Sequence, residues 1–67
     1  MTGLRTLEDV IAVIESKGWR WDVGMVSHDT YEARIWRWPE VIGRVRCSEK
    51  VPIFNMLKDA FDEANAA

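Results

Sequence analysis

Between Trp19 and Cys47 three stretches alternate apolar and polar side chains with a period of two, and only short breaks separate them. Alternation of this kind marks half-buried strands. Breaks this short cannot return the chain to start a parallel strand, which needs a crossover of about a dozen residues, so the strands must form an antiparallel meander. The strands are expected over residues 19–27, 30–38 and 41–47. Ser27-His28-Asp29-Thr30 reads as a polar turn. Pro39-Glu40 suits the central positions of a second, tight turn, with proline pre-setting φ at the first of them.

Both flanks carry helical spacing instead. Thr6 can cap a helix, with Asp9 three residues on in a loose capping box. Leu7, Val10, Ile11 and Ile14 then follow the i, i+3, i+4, i+7 spacing of one buried stripe. Lys17 and Gly18 supply a basic C-terminal end and a left-handed cap, so a helix is expected over residues 7–17. A second helix must begin within residues 48–52. Proline prefers the first helical position, which favours Pro52 there and Val51 as the cap over Ser48. Its buried stripe is Phe54, Leu57, Phe61 and Ala64, with Ile53 and Ala60 beside it, and Asn65-Ala66-Ala67 is expected to fray.

The order α-β-β-β-α most simply folds as a single α+β domain over residues 1–67, a two-layer sandwich with both helices on one face of the sheet. Its expected core sets Leu7, Val10, Ile11 and Ile14 against Trp19, Trp21, Val23, Tyr31, Ala33, Ile35, Val45, Phe54, Leu57 and Phe61. A chain of roughly 60 residues buries only about 60% of its unfolded surface, so its stability should be modest. With 48% hydrophobic residues the composition is that of a globular chain rather than a disordered one.

All four tryptophans lie in two Trp-Arg-Trp triplets, 19–21 and 36–38. Strand phase separates them. Trp19 and Trp21 run in step with Val23 and Met25, on the core face. Trp36 and Trp38 run in step with Glu32 and Arg34, while Arg37 falls on the buried phase with Tyr31, Ala33 and Ile35. Arg37 must therefore snorkel out at the strand end or signal a bulge. In the third strand Val41, Gly43, Val45 and Cys47 share one face and Ile42, Arg44 and Arg46 the other. The open face is then Arg20, Asp22, Glu32, Arg34, Trp36, Trp38, Ile42, Arg44 and Arg46. Tryptophan and arginine are the residues most enriched at binding hot spots. The candidate partner-binding residues are accordingly Arg20, Arg34, Trp36, Trp38, Arg44 and Arg46. A quiet face is the competing reading, with Arg34 stacked on Trp36 and Glu32 paired across strands to an arginine.

Little in the pattern points to catalysis. His28 beside Asp29 could supply two members of a nucleophilic triad, yet Ser27 and Ser48 stand in no nucleophile elbow. Cys47 lies on the core phase as a small hydrophobe and is the only cysteine. There is no zinc spacing and no phosphate-binding glycine pattern. The reading is of a non-enzymatic protein without cofactor or metal. No apolar leader and no membrane-length run is present, and a lone thiol fits a reducing compartment, so a cytoplasmic location is expected. Net charge is −2, which counts against nucleic acid as the first-choice partner. Five of the six arginines nevertheless fall within residues 19–47, between acidic flanks.

The element order is that of the double-stranded-RNA-binding domain, a likeness of topology only. That family's lysine-rich entry to the last helix is represented here by Lys50 alone. The chain also resembles the phage ABA sandwich domain, a family of small phage and prophage proteins, over most of residues 7–66. The features are Lys17-Gly18-Trp19-Arg20-Trp21, Tyr31-Glu32-Ala33-Arg34-Ile35-Trp36 and the proline-entered segment Val51-Pro52-Ile53-Phe54-Asn55-Met56-Leu57-Lys58-Asp59-Ala60. The acidic Asp62-Glu63 departs from that pattern. The resemblance implies a phage or prophage accessory protein in the cytoplasm of a bacterial host. Expected partners are a host or phage protein, including a defence complex that it would inhibit in the manner of an anti-CRISPR protein. A second copy of the chain, giving a homodimer, is a further expected partner. Nucleic acid bound through the Arg/Trp face is the alternative.

Overall fold

The structure, a computed structural model, describes residues 4–66. Helix α1 spans Leu7–Ser16, strands β1, β2 and β3 span Arg20–Ser27, Thr30–Arg37 and Glu40–Ser48, and helix α2 spans Ile53–Ala66. The fold is α+β in the order α-β-β-β-α, with an antiparallel sheet of order β1-β2-β3. Its shortest dimension is 18 Å, room for one sheet and one layer of helices.

The ends of α1 are closed as the residue types require. The Thr6 hydroxyl accepts the Asp9 N–H, and the Asp9 carboxylate accepts the Thr6 N–H in return, a full capping box. Gly18 takes the left-handed conformation at φ 75°, and the Gly18 and Trp19 N–H groups donate to the Glu15 and Ile14 carbonyls. That is a Schellman motif, and it turns the chain straight into β1. Helix α2 starts one residue later than its proline suggested. The Pro52 carbonyl accepts the Met56 N–H, so Pro52 itself holds the cap position expected for Val51. Ser48 instead closes the preceding turn, its carbonyl accepting the Val51 N–H. The helix runs on through Asn65 and Ala66, where fraying was expected; Ala67 lies outside the described residues.

Val10, Ile14, Ala33, Ile35, Leu57 and Phe61 are buried, joined by Met56, Ala60 and Ala64. Leu7, Ile11, Trp19, Trp21, Val23, Tyr31, Val45 and Phe54 are half-buried and pack against them. Met56 was missed because it stands beside the Phe54-Leu57-Phe61 stripe, but α2 has sheet on one side and α1 on the other and buries a wider arc. Met25, expected on the core face, is 59% exposed. It sits at the end of β1 farthest from the Gly18 turn, past the cover of the shorter α1.

The β2–β3 hairpin corrects three local expectations. Arg37 pairs with Glu40, so the turn is Trp38-Pro39, one residue earlier than expected, with a cis Trp38–Pro39 peptide. Trp38 is therefore a turn residue, and Arg37 escapes burial at the strand end. Ile35 faces Gly43 whereas Trp36 faces Val41, which leaves Ile42 as an extra residue in a β-bulge. The bulge reverses the expected phases of Val41 and Ile42. Val41 comes to lie opposite Trp36, and Ile42 packs against the core rather than lying on the open face.

Candidate functional site

Cross-strand register lays the open face out in three rows. Arg20, Trp36 and Val41 form one, Asp22, Arg34 and Arg44 the next, and Gly24, Glu32 and Arg46 the third. All six arginines and tryptophans chosen from the sequence are on this side of the sheet or at its hairpin end, but their surroundings differ.

Asp22 organises the middle of the face. Its carboxylate accepts Arg34 Nε at 2.8 Å and Nη2 at 3.1 Å, a bidentate pair, and also accepts Trp36 Nε1 at 3.1 Å. The Arg34 guanidinium lies over the Trp36 ring, 5.2 Å from its centroid. The Asp22 hydrogen bond raises the Arg34 pKa above its ordinary value. Strand phase places Asp22 on the open face but does not mark it as the residue that organises it. Its signal was the register, which sets it directly across from Arg34.

Glu32 anchors the far row. It is only 7% exposed, the single buried charge among the described residues. Its carboxylate accepts Arg46 Nε at 3.0 Å, with Arg44 Nε at 3.6 Å and Arg34 Nε at 3.8 Å. One buried carboxylate thus serves three guanidiniums, and Gly24 opposite contributes no side chain to crowd it. Four arginines against two carboxylates leave the face with an excess of positive charge, although the chain as a whole is net −2.

The hairpin end differs in being open. The Trp38 ring is 5.5 Å from that of Trp36, tilted by 39°, and the Arg20 guanidinium lies 5.8 Å above it. Trp38 is nonetheless 68% exposed. An aromatic ring held from two sides and open on the rest offers exposed area in a partly fixed orientation.

The other candidates are dispersed. His28 is exposed in the β1–β2 turn with Nε2 4.0 Å from the Asp29 carboxylate. The Ser27 hydroxyl donates to Asp29 at 3.4 Å rather than to the histidine, so no triad geometry forms. Cys47 is half-buried against the core. Among the described residues no group of three His, Cys, Asp or Glu could hold a metal ion, and no helix is long and apolar enough to cross a membrane. A shallow cleft of about 360 Å³ lies beside β3, lined by Val41, Ile42, Gly43, Arg44 and Glu63. Comparison with protein-family models, with curated proteins and with solved structures finds no match.

Proposed function

We propose that the protein acts by stoichiometric binding of another protein through the open sheet face, with Trp38 and Arg20 as the anchor. The observation that carries this reading is the 68% exposure of Trp38 between two residues that hold it. Arg34 and Trp36 are already committed to Asp22 and act as the scaffold beneath that anchor. Arg44 and Arg46 share Glu32 and supply a positive rim that steers an acidic partner. With the phage-type resemblance, the role is that of an accessory protein acting in the cytoplasm of a bacterial host, one form being inhibition of a defence complex.

The test is affinity capture from a bacterial lysate with exposed variants that leave the ladder intact. Trp38→Ala and Arg20→Glu should each weaken a stoichiometric partner by about 30-fold, the effect of a hot spot of about 2 kcal/mol. Glu8→Gln on α1 should leave it bound. Retention of every partner by both face variants would sink the proposal. A second reading, single-stranded nucleic acid stacked on Trp36 and Trp38, is favoured by the aromatic pair and the arginine excess. It requires oligonucleotide binding that weakens steeply with salt.

A further inference from the structure

The two edges of the sheet are treated differently. At the β3 edge the outward Arg44 N–H donates to Glu63 of α2 at 3.3 Å, and the Ile42 bulge interrupts the strand. Both devices blunt an edge; β1 has a register shift of its own between Met25 and Ser27, so its regular run ends at Met25. That same bond sets the ladder's phase. Arg44 points its backbone groups away from β2, so Arg34 points its own toward β1, where it pairs with Asp22. Alternation then turns the backbone N–H and C=O groups of Trp21, Val23 and Met25 outward. Among the described residues no side chain or loop hydrogen-bonds to them. These three residues also line the part of the inner face that α1 covers least: Trp21 and Val23 are half-buried, Met25 is 59% exposed, and the adjacent Val26 is 46% exposed.

We propose that this edge pairs antiparallel with β1 of a second copy, joining two sheets into one of six strands. A two-fold axis requires self-complementarity, and few registers meet it. Centred on Asp22, the pair sets two aspartates face to face; centred on Gly24, it leaves Trp21 opposite Ser27. Centred on Val23, it places Trp21 of each copy against Met25 of the other, and every outward backbone group of Trp21, Val23 and Met25 finds a partner. The thioether then lies against an indole, a favourable contact. Beyond β1 the antiparallel arrangement brings the end of one copy that carries Lys17 to the end of the other that carries the Asp29 turn, charges of opposite sign. No lysine or proline within β1 opposes the pairing. The area involved is that of one strand edge, so the dimer belongs to the weak, concentration-dependent class.

Sedimentation equilibrium from micromolar to millimolar protein, with amide exchange at both ends of that range, tests this. The expected result is a monomer–dimer equilibrium in which the Trp21, Val23 and Met25 amides gain protection with concentration while those of Asp22 and Gly24 stay unchanged. Met25→Lys changes an exposed side chain, and Val23→Pro removes an outward N–H together with a half-buried side chain. Both should be folded monomers by circular dichroism, and Met25→Lys alone suffices if the proline variant fails to fold. A monomer at millimolar concentration would overturn the proposal. So would a dimer that Met25→Lys leaves intact, or one that Trp38→Ala abolishes, which would assign self-association to the tryptophan face.

Discussion

Gly43 sets β3 directly against the backbone of α2, and replacing it tests the packing of the sandwich. An ideal Cβ at this position would collide with the Ala60 carbonyl oxygen and lie 3.1 Å from the Ala64 Cβ. The first obstacle is helix backbone, which cannot rotate away, so Gly43→Ala must lift α2 off β3 or bend the strand. Overpacking of this kind costs about 1–3 kcal/mol. Against it stands a gain of about 0.4–1 kcal/mol, because alanine narrows the unfolded ensemble. The net loss should be about 1–2 kcal/mol, a large share of the roughly 3–5 kcal/mol available to a domain of this size. The melting temperature should fall by about 5–15 °C, at about 4–8 °C per kcal/mol.

Gly24→Ala is the internal control, since a Cβ there meets nothing within 4 Å. Urea and thermal unfolding, followed by tryptophan fluorescence and far-ultraviolet circular dichroism, should separate the two variants by more than about 1 kcal/mol. Adding Ala64→Gly to Gly43→Ala should give no rescue, because the Ala60 carbonyl remains and a helical glycine costs about 1 kcal/mol more. Equal stability of the Gly43 and Gly24 variants, or full rescue by Ala64→Gly, would refute the account of a backbone-limited contact.

Four further outcomes follow from the charged ladder and the α1 cap. Glu32→Gln leaves Arg34, Arg44 and Arg46 facing a neutral amide; it should cost about 1–2 kcal/mol in urea unfolding at low salt. Added salt should narrow that deficit, since screening acts over about 8 Å at physiological ionic strength. A double-mutant cycle of Asp22→Asn with Arg34→Gln should return a coupling of about 0.5–1 kcal/mol, because both side chains are more than a third exposed. Asp9 is held below its ordinary pKa first by the Arg5 N–H and then by the Thr6 N–H. A carboxylate lowered in the folded state contributes stability that is in place above about pH 4 and is lost as pH falls toward the folded value. Acid titration of helicity should therefore show α1 weakening on that limb, and Asp9→Asn should flatten it. Thr6→Ala, which removes the other half of the box, should cost about 1 kcal/mol at neutral pH.

The elements and the helix-bearing face were legible because each rests on local rules. Thr6, Asp9 and Gly18 carry the ends of α1 by hydrogen-bonding type and backbone freedom alone. The period-two pattern assigns Arg20, Asp22, Glu32, Arg34 and Trp36 to one face without reference to any distant contact. What could not be read locally was the β2–β3 hairpin. A bulge adds one residue to one strand only, and no residue type at Val41 or Ile42 announces it. Once Ile42 is the extra residue, its apolar side chain reaches the core and Val41 turns to Trp36, the reverse of simple alternation. The burial of Met56 and the exposure of Met25 escaped for a related reason: the lengths of α1 and α2 and the way they share one sheet face are set by tertiary packing.

The competing readings of the open face, quiet ladder and binding surface, turn out to occupy different parts of it. From Gly24 to Trp36 the ladder is satisfied. Asp22 takes up Arg34 and the Trp36 indole, and Glu32 is sunk beneath three guanidiniums, so a ligand there would have to displace charge-assisted bonds worth more than most replacements. At the hairpin the same rows run out of carboxylates. Arg20 and Trp38 have only each other and the edge of Trp36, and Arg37 points to solvent. Binding energy should therefore be graded along the face, steep at Trp38 and Arg20 and shallow at Arg44 and Arg46, whose loss would alter association rate and salt dependence more than residence time. A face that bound through its arginines alone would show the opposite gradient, and alanine substitution at Trp38 and Arg46 is enough to tell them apart.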